Sequence, residues 1–256
     1  MTHARDNTPP SKVLLAIPVF NEEKHLDAVV DAAARHIADV VAIDDGSTDQ
    51  SKMILARRHD ICVVSHKENC GYGQTISHAF HFALGCGFDW VITMDCDEQH
   101  QPRRIPEFLD LVARDDCDVV SGTRYPGGRL ISGSVPRDRR AINQMVTEQL
   151  NRRLGLAITD AFCGFKAYRV AALDSIRITV PGYAMPIQFW VQAARARLRI
   201  RELPVDLIYN DPNRCFGGAL DDPTARLSHY LEVLEDEIRS GQPLPAAHDV
   251  QRSSCR

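Results

Sequence analysis

The chain has 256 residues, 44% of them apolar and 25% charged, and carries a formal net charge of −4 at neutral pH. That length fits one generous domain and that balance is ordinary for a soluble globular protein, while the mild acidity excludes a global pull toward nucleic acid. No apolar run approaches the roughly 18 residues of a membrane span, and eight cysteines without a C-x-x-C pair point to reduced thiols in the cytoplasm rather than a disulfide framework or a zinc cage.

Residues 1–11 are polar and punctuated by proline and read as a flexible N-terminus; residues 241–256 read as a loose C-terminal tail, which leaves 12–240 as a single domain. Val13–Val19 is a short apolar, β-branched run and predicts a buried strand. Apolar residues at helical spacing over Glu22–Ile37 predict a helix, with Asn21 where an N-cap belongs. Val40–Ile43 predicts a second strand, stopped by the polar turn Asp44–Asp49, from which Ser47 or Asp49 is placed to cap a helix running to His59. Ile61–Ser65, a loop over Lys67–Gly73, a helix over Gln74–Leu84 and a strand over Trp90–Met94 follow. Strand and helix thus alternate through the first hundred residues or so, the pattern of a mainly parallel α/β sheet with helices on both faces. In such a sheet ligands bind beyond the carboxyl ends of the strands, so the polar clusters that follow these strands should converge on one crevice. Beyond Pro102 the pattern predicts a helix over Ile105–Arg114, a strand over Asp118–Gly122, a Gly-rich loop over 124–134 and a helix over Asp138–Leu154. A turn into a strand within Ala161–Val170, a helix over Met185–Arg197, strands over Ile200–Pro204 and Val205–Tyr209, and a helix over Asp222–Ile238 complete the chain.

Asp95-x-Asp97-x-Gln99 is the sharpest chemical signal. Two carboxylates two residues apart at a strand end repel unless a cation lies between them, and an oxygen-only donor set suits Mg²⁺ or Mn²⁺, with phosphates completing the shell. The alternative is a surface acidic turn. Asp44–Asp45–Gly46 is a second acidic pair, fit to accept hydrogen bonds from a ribose or a base, or simply an Asx turn. Arg124 follows the fifth strand and heads a cluster with Arg129, Arg137, Arg139 and Arg140; arginine forks suit phosphate, although a solvated basic face is the default for such a group. Cys96 and Cys163 flank these residues, and a small buried filler is the plainer role for each. His78 and His81 lie on one helix with no carboxylate near them in sequence and read as packing or solvent-facing residues.

The runs Ile17–Pro18–Val19–Phe20–Asn21–Glu22–Glu23, Ile43–Asp44–Asp45–Gly46–Ser47–Thr48–Asp49, Asn69-x-Gly71-x-Gly73, Met94–Asp95–Cys96–Asp97–Glu98–Gln99, Ser121–Gly122–Thr123–Arg124–Tyr125 and Asp160–Ala161–Phe162–Cys163–Gly164–Phe165–Lys166 resemble, in this order, the family 2 glycosyltransferases. The nearest branch is that of the dolichol- or polyprenyl-phosphate mannosyl- and glucosyltransferases. The resemblance spans about Val13 to Tyr209. It implies a GT-A fold and an inverting transfer of a hexose from GDP-mannose or a UDP-sugar, with Mg²⁺ or Mn²⁺ as cofactor. Carried over residue by residue, it places Pro18, Phe20 and Glu22 in the nucleoside pocket and Ile43 and Asp45 at base and ribose. Asp95, Asp97 and Gln99 fall at the metal and diphosphate, with Cys96 in the same donor-facing segment and Arg214 reaching the diphosphate from the far side. Asp97, Arg124 and Lys166 are the residues carried over as catalytic.

Three departures stand out. Phe20 replaces a usual tyrosine, a downstream lysine of this branch has no counterpart near Phe216–Asp222, and Gln188 stands on the late helix where relatives with hydroxyl acceptors place an acidic base. A hydroxyl acceptor needs such a base, whereas a lipid phosphate is already ionised. The expected acceptor is therefore polyprenyl or dolichyl phosphate, met peripherally at a membrane surface, with Arg129, Arg137 and Lys166 as contacts. A soluble hydroxyl acceptor served by Asp160, Asp221 or Asp222, or a non-catalytic module that binds sugar nucleotides, are the alternatives. A nucleotidyltransferase or an NAD enzyme would want a phosphate-binding glycine loop after the first strand, and Phe20–Asn21–Glu22–Glu23 is acidic instead. Oligomeric state leaves no signal in the sequence.

Overall fold

The computed structural model describes residues 11–131, 135–208 and 216–241. The ends expected at 1–11 and 241–256 fall almost entirely outside these residues, as does Arg214.

The first apolar run forms β1 (Val13–Val19) as expected, with Leu14 to Ile17 buried. It is followed by α1 (Leu26–Ala34), β2 (Val40–Asp44), α2 (Ser51–Ala56), β3 (Cys62–Ser65), α3 (Tyr72–Gly85) and β4 (Trp90–Thr93). Then come α4 (Ile105–Ala113), β5 (Val119–Thr123), α5 (Arg137–Leu154), β6 (Lys166–Arg169), α6 (Val170–Leu173), α7 (Met185–Arg195), β7 (Ile200–Pro204) and α8 (Pro223–Ser240). All seven strands lie in one sheet ordered β3-β2-β1-β4-β6-β5-β7. Every neighbouring pair is parallel except those made by β6, which runs against both β4 and β5. Strands β2, β4 and β5 are buried at every position, as continuous apolar strands covered on both sides must be. One core packs α3, α5, α7 and α8 on the first face, around Trp190, Phe189 and Leu150; the other packs α1 and α4 on the second face, around Phe108, Leu26 and Trp90.

The chain leaves β1 toward β2 and β3 on one side and returns to β4 on the other, so the carboxyl ends of β1 and β4 border a switch point where a crevice must open. Three expectations change here. The strand expected over Val205–Tyr209 is absent among its described residues: Val205 N–H donates to Thr123 O at 2.9 Å and Ile208 N–H to Gln99 O at 3.4 Å, so the segment crosses the strand ends instead of adding a ladder. Helix α1 starts later than the pattern predicts, and Asn21 does not cap it. Asn21 turns to φ 57° and its Oδ1 accepts from the N–H groups of Thr48 and Asp49, at 2.8 and 3.3 Å, which ties the end of β1 to the turn after β2. Asp49 likewise accepts from Ser51 N–H at 2.9 Å and Glu23 N–H at 3.1 Å, serving both segments.

Candidate active site

The clusters that follow β1, β2 and β4 do meet, in a cavity of about 590 Å³. Its first wall comes from residues before 100: Pro18, Phe20 and Glu22 beyond β1, Asp45 beyond β2, Asn69, Gly71 and Tyr72 at the start of α3, and Asp95 to Asp97 with Gln99 beyond β4. The second wall comes from residues after 123: Arg124 and Tyr125 beyond β5, Arg139 and Asn143 on α5, Tyr183 ahead of α7, and Phe216 with Arg226 and Tyr230 at α8.

Asp45 is held in place by three donors. Its Oδ1 accepts from Cys70 N–H at 2.8 Å and faces His66 Nδ1 at 2.7 Å, and its Oδ2 accepts from Gly71 N–H at 2.9 Å. Gly46 makes this possible: its φ is +70°, and a side chain there would meet the backbone of Glu68 at 2.4 Å. His66 Nε2 in turn lies 2.6 Å from His78 Nδ1, so His78 is joined to a carboxylate through a second ring, contrary to the solvent-facing reading. Nothing local in the sequence marks this link, because its members come from a strand end, the end of β3 and a helix.

Asp95 leaves β4 toward the cavity. Gly164, ahead of β6, backs it: a Cβ on Gly164 would lie 2.2 Å from Asp95 Oδ2, and Gly164 O accepts from Thr93 Oγ1 at 2.7 Å. Asp97 Oδ1 accepts from Gln99 N–H at 3.0 Å, closing the turn. His100, buried and missed by the sequence reading, puts Nε2 3.5 Å from Asp95 Oδ2. Two carboxylates and an amide oxygen on one cavity wall, with a glycine reserved for one carboxylate's approach, form an oxygen-donor set that fits a hard divalent cation. A Gly164→Ala variant is expected to fold, since the atom displaced is the end of a side chain, yet to lose about a hundredfold in turnover as Asp95 is pushed aside; melting curves beside steady-state rates check this.

The structure bears on four of the sequence-derived roles. Ile43 is buried in the core and does not line the cavity, because its side chain alternates inward from β2. Cys96 lines the cavity but is buried with the Trp90 and Phe108 core, the filler role. Lys166 is 2% exposed, donates from Nζ to Cys163 O and lies 5.5 Å from the Trp190 ring centre; burial lowers its pKa, and it does not line the cavity. Arg124 does line it, but its Nε and Nη2 are spent on Asp160, at 2.6 and 2.8 Å. Burial opposes ionisation of Asp160, and the charge and hydrogen bonds of Arg124, with Asn143 Nδ2 at 2.7 Å, outweigh it and hold the carboxyl well below the usual range. Arg124 is thus a positioned wall residue before it is a phosphate ligand.

None of the residues considered as a general base lines the cavity. Asp160 is engaged as described, Asp221 accepts from Phe216 and Gly217 N–H, and Asp222 caps α8 through Ala225 N–H. Gln188 is not at the site either; its amide ties Thr179 and Val180 to Glu237. Arg139 and Arg226 instead flank the Phe216 ring, at 4.6 and 4.5 Å from its centre. Arg226 is held by Asp138 at 2.6 Å, while Arg129 and Arg137, the expected phosphate contacts, stay off the cavity.

The model of the glycosyl transferase family 2 matches residues 15–177. The chain belongs to that family. As a family 2 glycosyltransferase it is 26% identical over 230 residues to the undecaprenyl-phosphate mannosyltransferase of Micrococcus luteus, covering 86% of this chain and 93% of that one. It is 26% identical over 208 residues to the polyprenol monophosphomannose synthase of Mycolicibacterium smegmatis, covering 77% of each. Among solved structures, the glucosyl-3-phosphoglycerate synthase of Mycobacterium tuberculosis superposes with a TM-score of 0.68 at 18% identity, over 89% of this chain and 80% of that one. The same synthase has been solved with Mn²⁺ and UDP-glucose. The expected GT-A fold of this glycosyltransferase is thereby shown.

Proposed function

We propose that this glycosyltransferase moves a hexose, with inversion, from a nucleoside-diphosphate sugar to the phosphate of a polyprenyl lipid. The observation that carries this reading is the asymmetry of the cavity. Its carboxylates, Glu22, Asp45, Asp95 and Asp97, all sit on the first wall, and among the described residues the second wall has arginines, aromatics and Asn143 but no carboxylate. A hydroxyl acceptor must shed a proton as its bond to the sugar forms, and the second wall has no carboxylate to take it. A phosphate monoester is largely ionised at neutral pH and attacks without one. The names of the Micrococcus relative, an undecaprenyl-phosphate mannosyltransferase, and of the Mycolicibacterium relative, a polyprenol monophosphomannose synthase, support the same acceptor.

In this reading the nucleoside lies along Pro18, Phe20 and Glu22 with its base at Asp45. Its diphosphate reaches Asp95, Asp97 and Gln99. A divalent cation such as Mg²⁺ or Mn²⁺ held there would neutralise charge developing on the leaving diphosphate. Arg139, aligned on Phe216, meets the incoming phosphate and turns one oxygen toward the anomeric carbon. As that C–O bond forms, the bond to the diphosphate breaks on the opposite face. Tyr72 and Tyr183, stacked at 6.0 Å, flank the route between the walls. Among the described residues no helix is long and apolar enough to cross a membrane, and the lipid headgroup would be met at the bilayer surface.

The test is transfer from GDP-mannose and UDP-glucose, with Mn²⁺, to a short polyprenyl phosphate, the matching free polyprenol and 3-phosphoglycerate. Product on the lipid phosphate alone is expected; product on either hydroxyl acceptor instead overturns the assignment. In the same assay Arg139→Ala is expected to raise KM for the lipid phosphate by about ten- to a hundredfold, the worth of one charge-assisted hydrogen bond, with donor affinity unchanged.

A further inference from the structure

Asp45, His66 and Cys70 place a carboxylate oxygen, a ring nitrogen and a thiol sulfur within 4.8 Å of one another, and of the three Asp45 lines the cavity. We propose that these three side chains form a binding site for a thiophilic divalent cation, Zn²⁺ above all, distinct from the oxygen-donor set at Asp95 and Asp97 and in competition with the nucleotide.

The chemistry of the donors separates the two sites. A thiolate and an imidazole suit a borderline-soft ion, whereas two carboxylates and an amide suit a hard one. Three protein ligands also leave a coordination position for water or another small ligand, as in open zinc sites. The surroundings are arranged for ligation. A metal on His66 Nδ1 leaves Nε2 protonated, and that N–H then points at His78 Nδ1, 2.6 Å away. His78 Nε2 meets the Gln74 amide at 2.9 Å, which can present its oxygen to the outer ring N–H. Metal-bound histidines regularly donate their second nitrogen to such a partner, which fixes ring orientation and tautomer. Asp45 can ligate through Oδ1 while Oδ2 keeps the Gly71 N–H bond at 2.9 Å, so the loop ahead of α3 need not open. Cys70 is only partly buried and its Sγ is held by nothing stronger than a 3.4 Å contact to Glu68 O. On binding, the Cys70 thiol proton leaves to solvent and the His66 ring proton moves from Nδ1 to Nε2, so that one carboxylate and one thiolate balance the two charges of the ion.

Occupation takes Asp45 away from whatever it would otherwise accept from the nucleoside. That half of the inference rests on the donor reading above; the metal site itself does not. Sequence spacing hides the site, because positions 45, 66 and 70 match no zinc pattern and are brought together only by the pairing of β2 with β3.

The experiment is a Co²⁺ titration of the free protein, followed by absorption in the near-ultraviolet, where only a thiolate bound to Co²⁺ gives a strong charge-transfer band, and then displacement by Zn²⁺. A saturable band of one ion per chain is expected, absent in Cys70→Ser and retained in Cys62→Ser, a control at an exposed thiol. His78→Phe is expected to weaken Zn²⁺ about tenfold or more by removing the outer partner. No band, or a band that survives Cys70→Ser, overturns the site. Calorimetry of GDP and UDP with and without stoichiometric Zn²⁺ tests the competition. Loss of nucleotide affinity supports it, and unchanged affinity at a filled site overturns the competition and the placement of the base at Asp45, leaving the metal assignment standing.

Discussion

Replacing Asp97 with asparagine is expected to lower kcat/KM for sugar transfer by about a thousandfold, ~4 kcal/mol of transition-state stabilisation, in a protein that melts normally. The residue is 7% exposed, lines the cavity beyond β4 and closes its turn by accepting from Gln99 N–H at 3.0 Å. An amide keeps the shape and the turn bond, so the fold has no reason to change. What it removes is the negative charge that, in the proposed reading, would with Asp95 hold a cation beside the diphosphate. The measurement is a rate at saturating donor across a Mn²⁺ titration, with calorimetry on the same samples. An asparagine variant that keeps a tenth of the parent rate would remove Asp97 from the chemistry.

The second large effect is on stability. Asp160→Ala is expected to cost about 3–5 kcal/mol in urea unfolding, because it leaves the Arg124 guanidinium inside the protein without its counter-charge. Asp160 is wholly buried and takes bonds from the Arg124 side chain, Arg124 N–H, Asn143 Nδ2 and Phe162 N–H. Removing both partners, as Arg124→Ala with Asp160→Ala, should cost much less than the sum of the single changes, the mark of a coupled pair. The same pair sets an acid limit. The Asp160 carboxyl is held below its ordinary range in the folded state, so its contribution is full above that range. It drains as pH falls from there toward the folded-state value. Unfolding free energy measured from pH 6 downward should therefore decline in the parent and flatten in the double variant. A single Asp160→Ala variant as stable as the parent would sink this account.

Much of the frame can be read from residues alone. The β1 boundaries agree with the pattern residue for residue, since an apolar run followed by a polar turn leaves little choice, and β7 starts at Ile200 as expected but stops at Pro204. That the polar clusters beyond β1, β2 and β4 share one crevice follows from parallel topology, and Asp45, Asp95 and Asp97 are there. What is not legible is whatever depends on strand order and on partner choice. Nothing in Lys166–Arg169 says that β6 runs backwards between β4 and β5, because direction is fixed by which edge remains to be filled. Arg124 and Lys166 look like available cations until burial commits the first to Asp160 and the second to the Cys163 carbonyl. Ile43 sits in the right motif, yet period-two alternation sends it to the core. His66 and His78 have no sequence signal at all, since their pairing joins two elements that are separated in the chain.

A strand that runs counter to its neighbours begins where they end, and β6 therefore delivers its leading turn, not its trailing one, to the crevice. Residues before 100 build one wall and residues after 123 the other, and Gly164, from that leading turn, is one place where the second block backs the first by leaving room for Asp95; Gly73, where a Cβ would lie 2.1 Å from Val180 O, is another. The two walls can consequently diverge on separate schedules. Drift along α5 and α8 can reshape the second wall without moving the carboxylates of the first, while the seams at Gly164 and at Gly73 leave little room for a larger side chain. Chimeras between relatives follow the same grain: a junction near Pro102 swaps one wall whole, and survives only when the parent of the later half brings a glycine to position 164 and the parent of the earlier half one to position 73.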